Sequence, residues 1–243
     1  MLKAFTFILT CSTLLLSACI SDPVQLSKSA EVDFQRAKQY VASSQYEKAI
    51  LFLEKFTTKY PYSQYTAAAE LMRLKASYFD EQYVLSETLG LRFLDTHPEH
   101  KDRVYAQYLV AMSYYQQSSS AMLDQQFTHK SRDAFLELNR QFPVNPYTKD
   151  IQKYVYLLTN RVAEHEMIVG KFYLKKKMYV AAVNRFIRIK NDYAEADIAD
   201  ESLYNLAVSY LALKQKHYAQ ETIHTLEQKF PQSPWNKKAS QLI

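Results

Sequence analysis

Apolar residues recur along this chain at helical rather than strand spacing. The clearest stretch is Ile151, Val155, Leu158, Val162, His165, Val169 and Phe172, at alternating steps of four and three. That spacing puts all seven on one helix face as a continuous seam. Asn145 can cap such a helix and Pro146 fits its first position. The pattern predicts one helix over about 147–175, roughly 43 Å long at 1.5 Å per residue. A second pattern repeats. Ala37, Tyr40, Ala49, Tyr60 and Pro61 share their spacing with Gly170, Tyr173, Ala182, Tyr193 and Ala194, and with Ala207, Tyr210, Ala219, Phe230 and Pro231. The chain opens differently, with an apolar run from Ala4 to Ile20 diluted by Thr, Ser and Cys. It falls short of the ~20 apolar residues a membrane-spanning helix needs.

The repeated spacing has a physical reading in paired helices. A small residue on helix A and another on helix B let the two approach closely. The Tyr wedges between helices, and Pro ends helix B because it cannot continue it. The pattern is similar to the tetratricopeptide repeat. Two further repeats are degenerate. One carries Leu71, Leu74 and Tyr78 and ends at His97-Pro98; the other carries Ala111 and Tyr114 and ends at Phe142-Pro143, with an insertion expected within 116–130. Ser233-Pro234 signals a terminal capping helix over 234–243. The expected fold is all-α, a right-handed superhelix of about five helix pairs, an α-solenoid. The expected divisions are a signal segment at 1–18, a tether at 19–29, an N-terminal half at 30–146 and a C-terminal half at 147–243, opened by the long helix.

Composition narrows the function. The 243 residues include only two Gly, Gly90 and Gly170. Tight hairpins and phosphate-cradling loops both need more. The net charge of +5 comes from dispersed Lys and Arg, with one tight run at Lys175, Lys176 and Lys177. That distribution does not argue for nucleic acid, which would call for a basic face, and no nucleic-acid partner is expected. The N-terminus has the layout of a secretory signal: Lys3, an apolar core, then small residues. Leu16-Ser17-Ala18-Cys19 resembles the lipobox of bacterial lipoproteins, which implies cleavage between Ala18 and Cys19 and a covalent lipid on Cys19. The alternative is an ordinary signal peptide with a chance cysteine. Cys11 would leave with the signal, so the mature chain would have no disulfide. Its charge would be +4, from 29 basic and 25 acidic residues. Ile20 follows the cysteine, whereas lipoproteins kept in the inner membrane typically carry Asp there. That analogy directs the chain to the outer membrane, facing the periplasm.

Catalytic signals are weak. His165-Glu166 begins like the zinc motif H-E-x-x-H, but position 169 is Val. His165 is therefore expected to be packed and hydrogen-bonded, and His97 and His100 to sit in a solvated turn. Asp80, Glu81, Glu164 and Glu166 read as helix-surface carboxylates. No catalytic residue, metal site or cofactor is expected, and an enzyme is disfavoured. A helical groove instead suits an extended peptide, with Tyr62, Tyr65, Arg73, Tyr78, Tyr105, Tyr108 and Tyr114 as candidate lining and part of them as inter-helix core. The three lysines at 175–177 read as a solvated turn, with an acidic partner or lipid headgroup as the minority reading.

Two stretches carry a more specific likeness. The pieces Ala163-x-x-Glu166-x-x-Val169-Gly170-x-Phe172-Tyr173 and Tyr179-x-Ala181-Ala182-Val183-Asn184-Arg185, with Tyr60-Pro61-Tyr62-Ser63-Gln64-Tyr65, resemble the BamD family. These are lipoproteins with five tetratricopeptide repeats in the β-barrel assembly (BAM) machinery of Gram-negative outer membranes. The resemblance implies a non-enzymatic function in inserting β-barrel proteins. It implies C-terminal repeats that dock the last POTRA domain of BamA, with Asn184, Arg185 and Arg188 in the docking region. It further implies N-terminal repeats that receive the terminal strand of unfolded barrel substrates, and contact with other BAM lipoproteins. Ala194 stands where the family usually has Pro, and the loop around 116–130 looks shortened. Another repeat lipoprotein, such as a pilotin or a cell-envelope scaffold, is the alternative.

Overall fold

Helix follows helix through residues 25–242, which the computed structural model describes. The signal segment, Ala18, Cys19 and the tether up to residue 24 lie outside the described residues. In chain order the helices are α1 Ala30–Ala42, α2 Tyr46–Lys59, α3 Thr66–Phe79, α4 Tyr83–Thr96, α5 Arg103–Gln117 and α6 Gln126–Gln141. They continue as α7 Thr148–Lys175, α8 Tyr179–Asp192, α9 Ala199–Ala212, α10 Lys216–Lys229 and α11 Pro234–Ala239. No strand occurs among the described residues. Each helix from α1 to α10 packs chiefly against its neighbours in sequence, so five helix pairs stack in chain order.

The small residues of the repeated spacing sit where the helices touch. Ala37, Ala49, Ala182, Ala207 and Ala219 are all completely buried. Gly170 is buried too, and a Cβ there would come within 2.6 Å of the Phe186 ring on α8. Helix A of four pairs ends alike. Ser44, Glu81, Lys177 and Lys214 have φ between 56° and 61°, and none is Gly. In each case the third residue beyond the helix closes the turn: the N–H groups of Gln45, Gln82, Met178 and Gln215 donate to the carbonyls of Tyr40, Ser77, Tyr173 and Tyr210. This is a Schellman-type helix end. The second pair therefore places Ser77, not Tyr78, at the wedge position.

The long fourth helix A is present as α7, 28 residues from Thr148. Its start differs from the expected cap. Asn145 accepts from the Tyr147 N–H at 2.7 Å and donates to the Phe142 carbonyl at 2.7 Å, an Asx turn that delays the helix. The seam also drifts. Ile151, Leu158 and Val162 are buried, but Phe172 is 55% exposed, and burial passes to Ala163, Glu166, Met167 and Gly170. The first half of α7 packs on α6 and the second on α8, so the buried stripe must rotate around the helix. The expected insertion shrinks to residues 118–125, because α5 continues to Gln117 and α6 starts at Gln126. Ser233 caps α11, accepting from the Trp235 N–H at 3.0 Å, with Pro234 as the first helical residue.

The chain entering α1 is fixed before the helix begins. The Ser27 N–H donates to the buried Asp33 carboxylate at 2.8 Å, and the Tyr60 hydroxyl reaches both Asp33 and the Ser27 carbonyl. Leu26 packs against the core of the first pair. The tether therefore docks at Leu26 rather than running free to residue 29.

Candidate functional site

Aromatic side chains from alternate helices meet between α5 and α7. No Cα of α5 lies within 8 Å of one of α7. Rings bridge the separation instead. Tyr108 stacks on Tyr147 at 4.3 Å between centroids, and Tyr105 stacks on the same ring at 6.1 Å. Tyr115 meets Tyr154 at 4.6 Å, and Tyr154 stacks on Phe135 at 5.3 Å. The Arg161 guanidinium stands 5.8 Å over the Tyr115 ring. Tyr78 on α3 accepts from Gln116 at 3.2 Å.

Burial pushes the Tyr105 hydroxyl up to about 12, with Tyr147 and Tyr78 adding to it. Burial raises Tyr108 further, reinforced first by Asp150. These phenols stay neutral at ordinary pH and keep both donor and acceptor capacity. Tyr105 also lines a cavity of about 270 Å³ with Val41, Leu71, Met72 and Lys75, open between α1, α3 and α5.

The structure groups three of the seven candidate groove residues, Tyr78, Tyr105 and Tyr108, with Tyr147 and Tyr154 added. The other four lie apart. Tyr62 is fully exposed in the α2–α3 turn. Tyr65 stacks on Phe34 at 5.0 Å. Arg73 is 9% exposed and pairs with Glu54 at 3.0 Å. Tyr114 is equally buried, with Lys130 5.2 Å over its ring. Burial and then Glu87 push its hydroxyl up to about 12.

A second feature occupies the α7–α8 pair. Glu166 is 4% exposed, not the surface carboxylate its sequence position implies. Arg185 Nη1 donates to it at 3.0 Å and Arg188 Nη1 at 3.0 Å. Beside this cluster, Arg132 of α6 lies 5.5 Å from the Tyr193 ring and donates to Thr159 at 3.1 Å. The buried carboxylate thus joins α7 to α8, and Arg132 separately ties α6 to α7. Asn184 faces solvent, and the Arg188 side chain is 58% exposed. The available signal was the small-residue face of Ala163 and Gly170, on which Glu166 lies three and four residues away.

The histidines are structural in placement. His165 Nδ1 lies 2.8 Å from the Ala121 carbonyl, tying the 118–125 loop to α7. His97 pairs with Glu70 at 2.7 Å, and the His97 and His100 rings pack on Phe93. That half-buried cluster replaces the expected solvated turn. Among the described residues, no group of three or more His, Cys, Asp or Glu could hold a metal ion, and no helix is long and apolar enough to cross a membrane.

Comparison with known proteins adds lineage to this geometry. Residues 27–225 match the family model YfiO, described as outer membrane lipoprotein. The chain is 33% identical over 198 residues to outer membrane protein assembly factor BamD of Rickettsia prowazekii, covering 82% of this chain and 79% of that protein. It is 28% identical to the BamD of Neisseria meningitidis serogroup B over 242 residues, covering 93% of this chain and 91% of that one. A solved structure of a putative kinesin light chain with tetratricopeptide-like repeats aligns over 86% of this chain and 100% of its own, at 14% identity and a TM-score of 0.42. The match over most of the length, with stacked helix pairs beneath it, means that the chain belongs to the YfiO, or BamD, family of outer membrane lipoproteins.

Proposed function

We propose that this protein is a non-enzymatic assembly factor for outer-membrane β-barrel proteins, acting as a component of the BAM complex. The observation that carries this reading is the 33% identity to a named outer membrane protein assembly factor over four-fifths of the chain. In this reading Cys19 bears a covalent lipid that holds the helical stack at the outer membrane, facing the periplasm. No cofactor beyond that lipid takes part. The tyrosine wall of α3, α5 and α7 supports a role for the N-terminal half in receiving the terminal strand of an unfolded barrel. Neutral phenols offer aromatic faces and hydrogen bonds together, which suits weak, reversible holding of an extended segment. The exposed face of α8 at Asn184 and Arg188 is the proposed dock for a BamA POTRA domain, and companion lipoproteins complete the assembly.

The test is recovery of BamA with this protein from mildly solubilised membranes, and its loss in a variant that changes only the exposed face. Asn184→Trp is suited to this, because Asn184 is exposed and takes no part in the Glu166 cluster. Recovery should fall while the melting temperature holds. Undiminished recovery would place the dock elsewhere, and no recovery from the unaltered protein would remove the assembly reading.

A further inference from the structure

The connections from each helix A to its helix B fall along one edge of the stack, and their charge is sorted. Ser43 and Ser44 make the α1–α2 turn neutral, and Asp80 and Glu81 make the α3–α4 turn acidic. The α7–α8 turn carries Lys175, Lys176 and Lys177, and the α9–α10 turn Lys214 and Lys216. Lys177 and Lys214 stand at the same left-handed position as Glu81 and Ser44, so four superimposable turns carry different charge: one neutral, one acidic and two basic. The two basic turns are neighbours. Tyr173 and Leu174, closing α7, pack into one cluster with Tyr210 and Leu213, closing α9.

Among the described residues, no carboxylate pairs with the lysines of this edge. No Asp or Glu occurs at 171–184 or at 202–220. The flanking Glu201 pairs with Lys171, and the exposed Glu221 lies 3.3 Å from His217, which offsets its charge only when protonated. None of the five turn lysines forms an ion pair among the described residues. Apolar side chains stand among them: Phe172 is 55%, Met178 53% and Val180 63% exposed, and Lys176 lies 5.9 Å over the Phe172 ring.

We propose that this edge rests on an anionic bilayer surface. Lysines would meet lipid phosphates while Phe172, Met178 and Val180 enter the boundary between headgroups and acyl chains. Interfacial membrane contacts combine these two chemistries. A row of protruding turns presents a broad face, suited to a planar partner more than to a peptide that needs a groove. A bilayer is within reach of a chain from an outer membrane lipoprotein family. Val180 lies one turn before Asn184 on the exposed face of α8, so the edge adjoins the surface proposed above for BamA. A vesicle assay contains no such partner, so its outcome and that of the BamA recovery can differ.

The chain from Ile20 onward keeps every described residue and cannot be acylated at Cys19. It should sediment with phosphatidylcholine vesicles that contain phosphatidylglycerol, less so with phosphatidylcholine alone, and less as salt rises. Each lysine at an anionic surface contributes about fivefold in affinity. Lys175→Gln, Lys176→Gln and Lys177→Gln together should therefore weaken binding by about a hundredfold, with unchanged helicity by circular dichroism. The corresponding triple change to Arg should retain binding, and Met178→Ser with Val180→Ser should weaken it while leaving its salt dependence intact. Equal sedimentation with both vesicle types, or unchanged binding by the Gln variant, overturns the proposal. So does binding to poly-glutamate with none to vesicles, which would make the partner an acidic polypeptide.

Discussion

Arg185 of α8 holds the carboxylate of Glu166 on α7 at 3.0 Å, and that carboxylate is almost wholly shielded from water. Arg188 shares the same carboxylate from a more exposed position. Removing one partner of a buried pair costs about 3–5 kcal/mol, whereas exposed pairs are worth about 0–1 kcal/mol. Glu166→Ala, which strands the half-buried Arg185, should destabilise by about 2–3 kcal/mol and Arg188→Ala by less than about 1 kcal/mol. Urea unfolding checks this, read as a shifted midpoint at unchanged slope. Equal effects of the two changes would contradict the assigned burial.

Gly170→Ala tests the close approach of α7 and α8. The added methyl would come within 2.6 Å of Phe186, a fully buried ring. Overpacking of this kind costs about 1–3 kcal/mol, and the gain in helix propensity returns up to about 1 kcal/mol. A net loss near 1–2 kcal/mol is expected, measured by thermal or urea unfolding. A stabilised variant would mean that the helices separate freely.

Glu81→Gly should do the reverse. Glu81 has φ of 60°, where a Cβ is strained and Gly is not. The change should stabilise by about 0.5–1 kcal/mol after the added entropy of the unfolded chain. The same readout applies.

Alkaline pH should destabilise the packing on both sides of α5. Tyr105 and Tyr114 are each raised to about 12 in the folded chain from an ordinary value of 10.0, chiefly by burial. The unfolded chain then loses these protons first as pH rises. Stability is fully present below about pH 10 and is lost between about 10 and 12. Tyr105→Phe with Tyr114→Phe should flatten that decline, seen as a smaller difference in urea midpoint between the two ends of the window. An unchanged slope would assign the decline to other groups.

Much of the architecture is legible in the amino-acid order. The Ala and Gly spacing marks the helix contacts because only small side chains allow two backbones so close. The long α7 is written in its seam, and the α11 cap in Ser233-Pro234. Those signals are local, set by 3.6-residue periodicity and by the backbone preferences of Pro and Ser. What the sequence alone could not decide depends on which distant surfaces face each other. Glu166 reads as one more charge on a helix until α8 folds over it, and Arg185 stands 19 positions away. The seven groove candidates share residue types but not a surface, because rotation around each helix sends Tyr114 and Arg73 away from Tyr105. The lysines at 175–177 read as an ordinary turn in the chain. Packing of α9 beside α7 brings Lys214 and Lys216 next to them, and charge becomes a surface property only when separate turns are brought side by side.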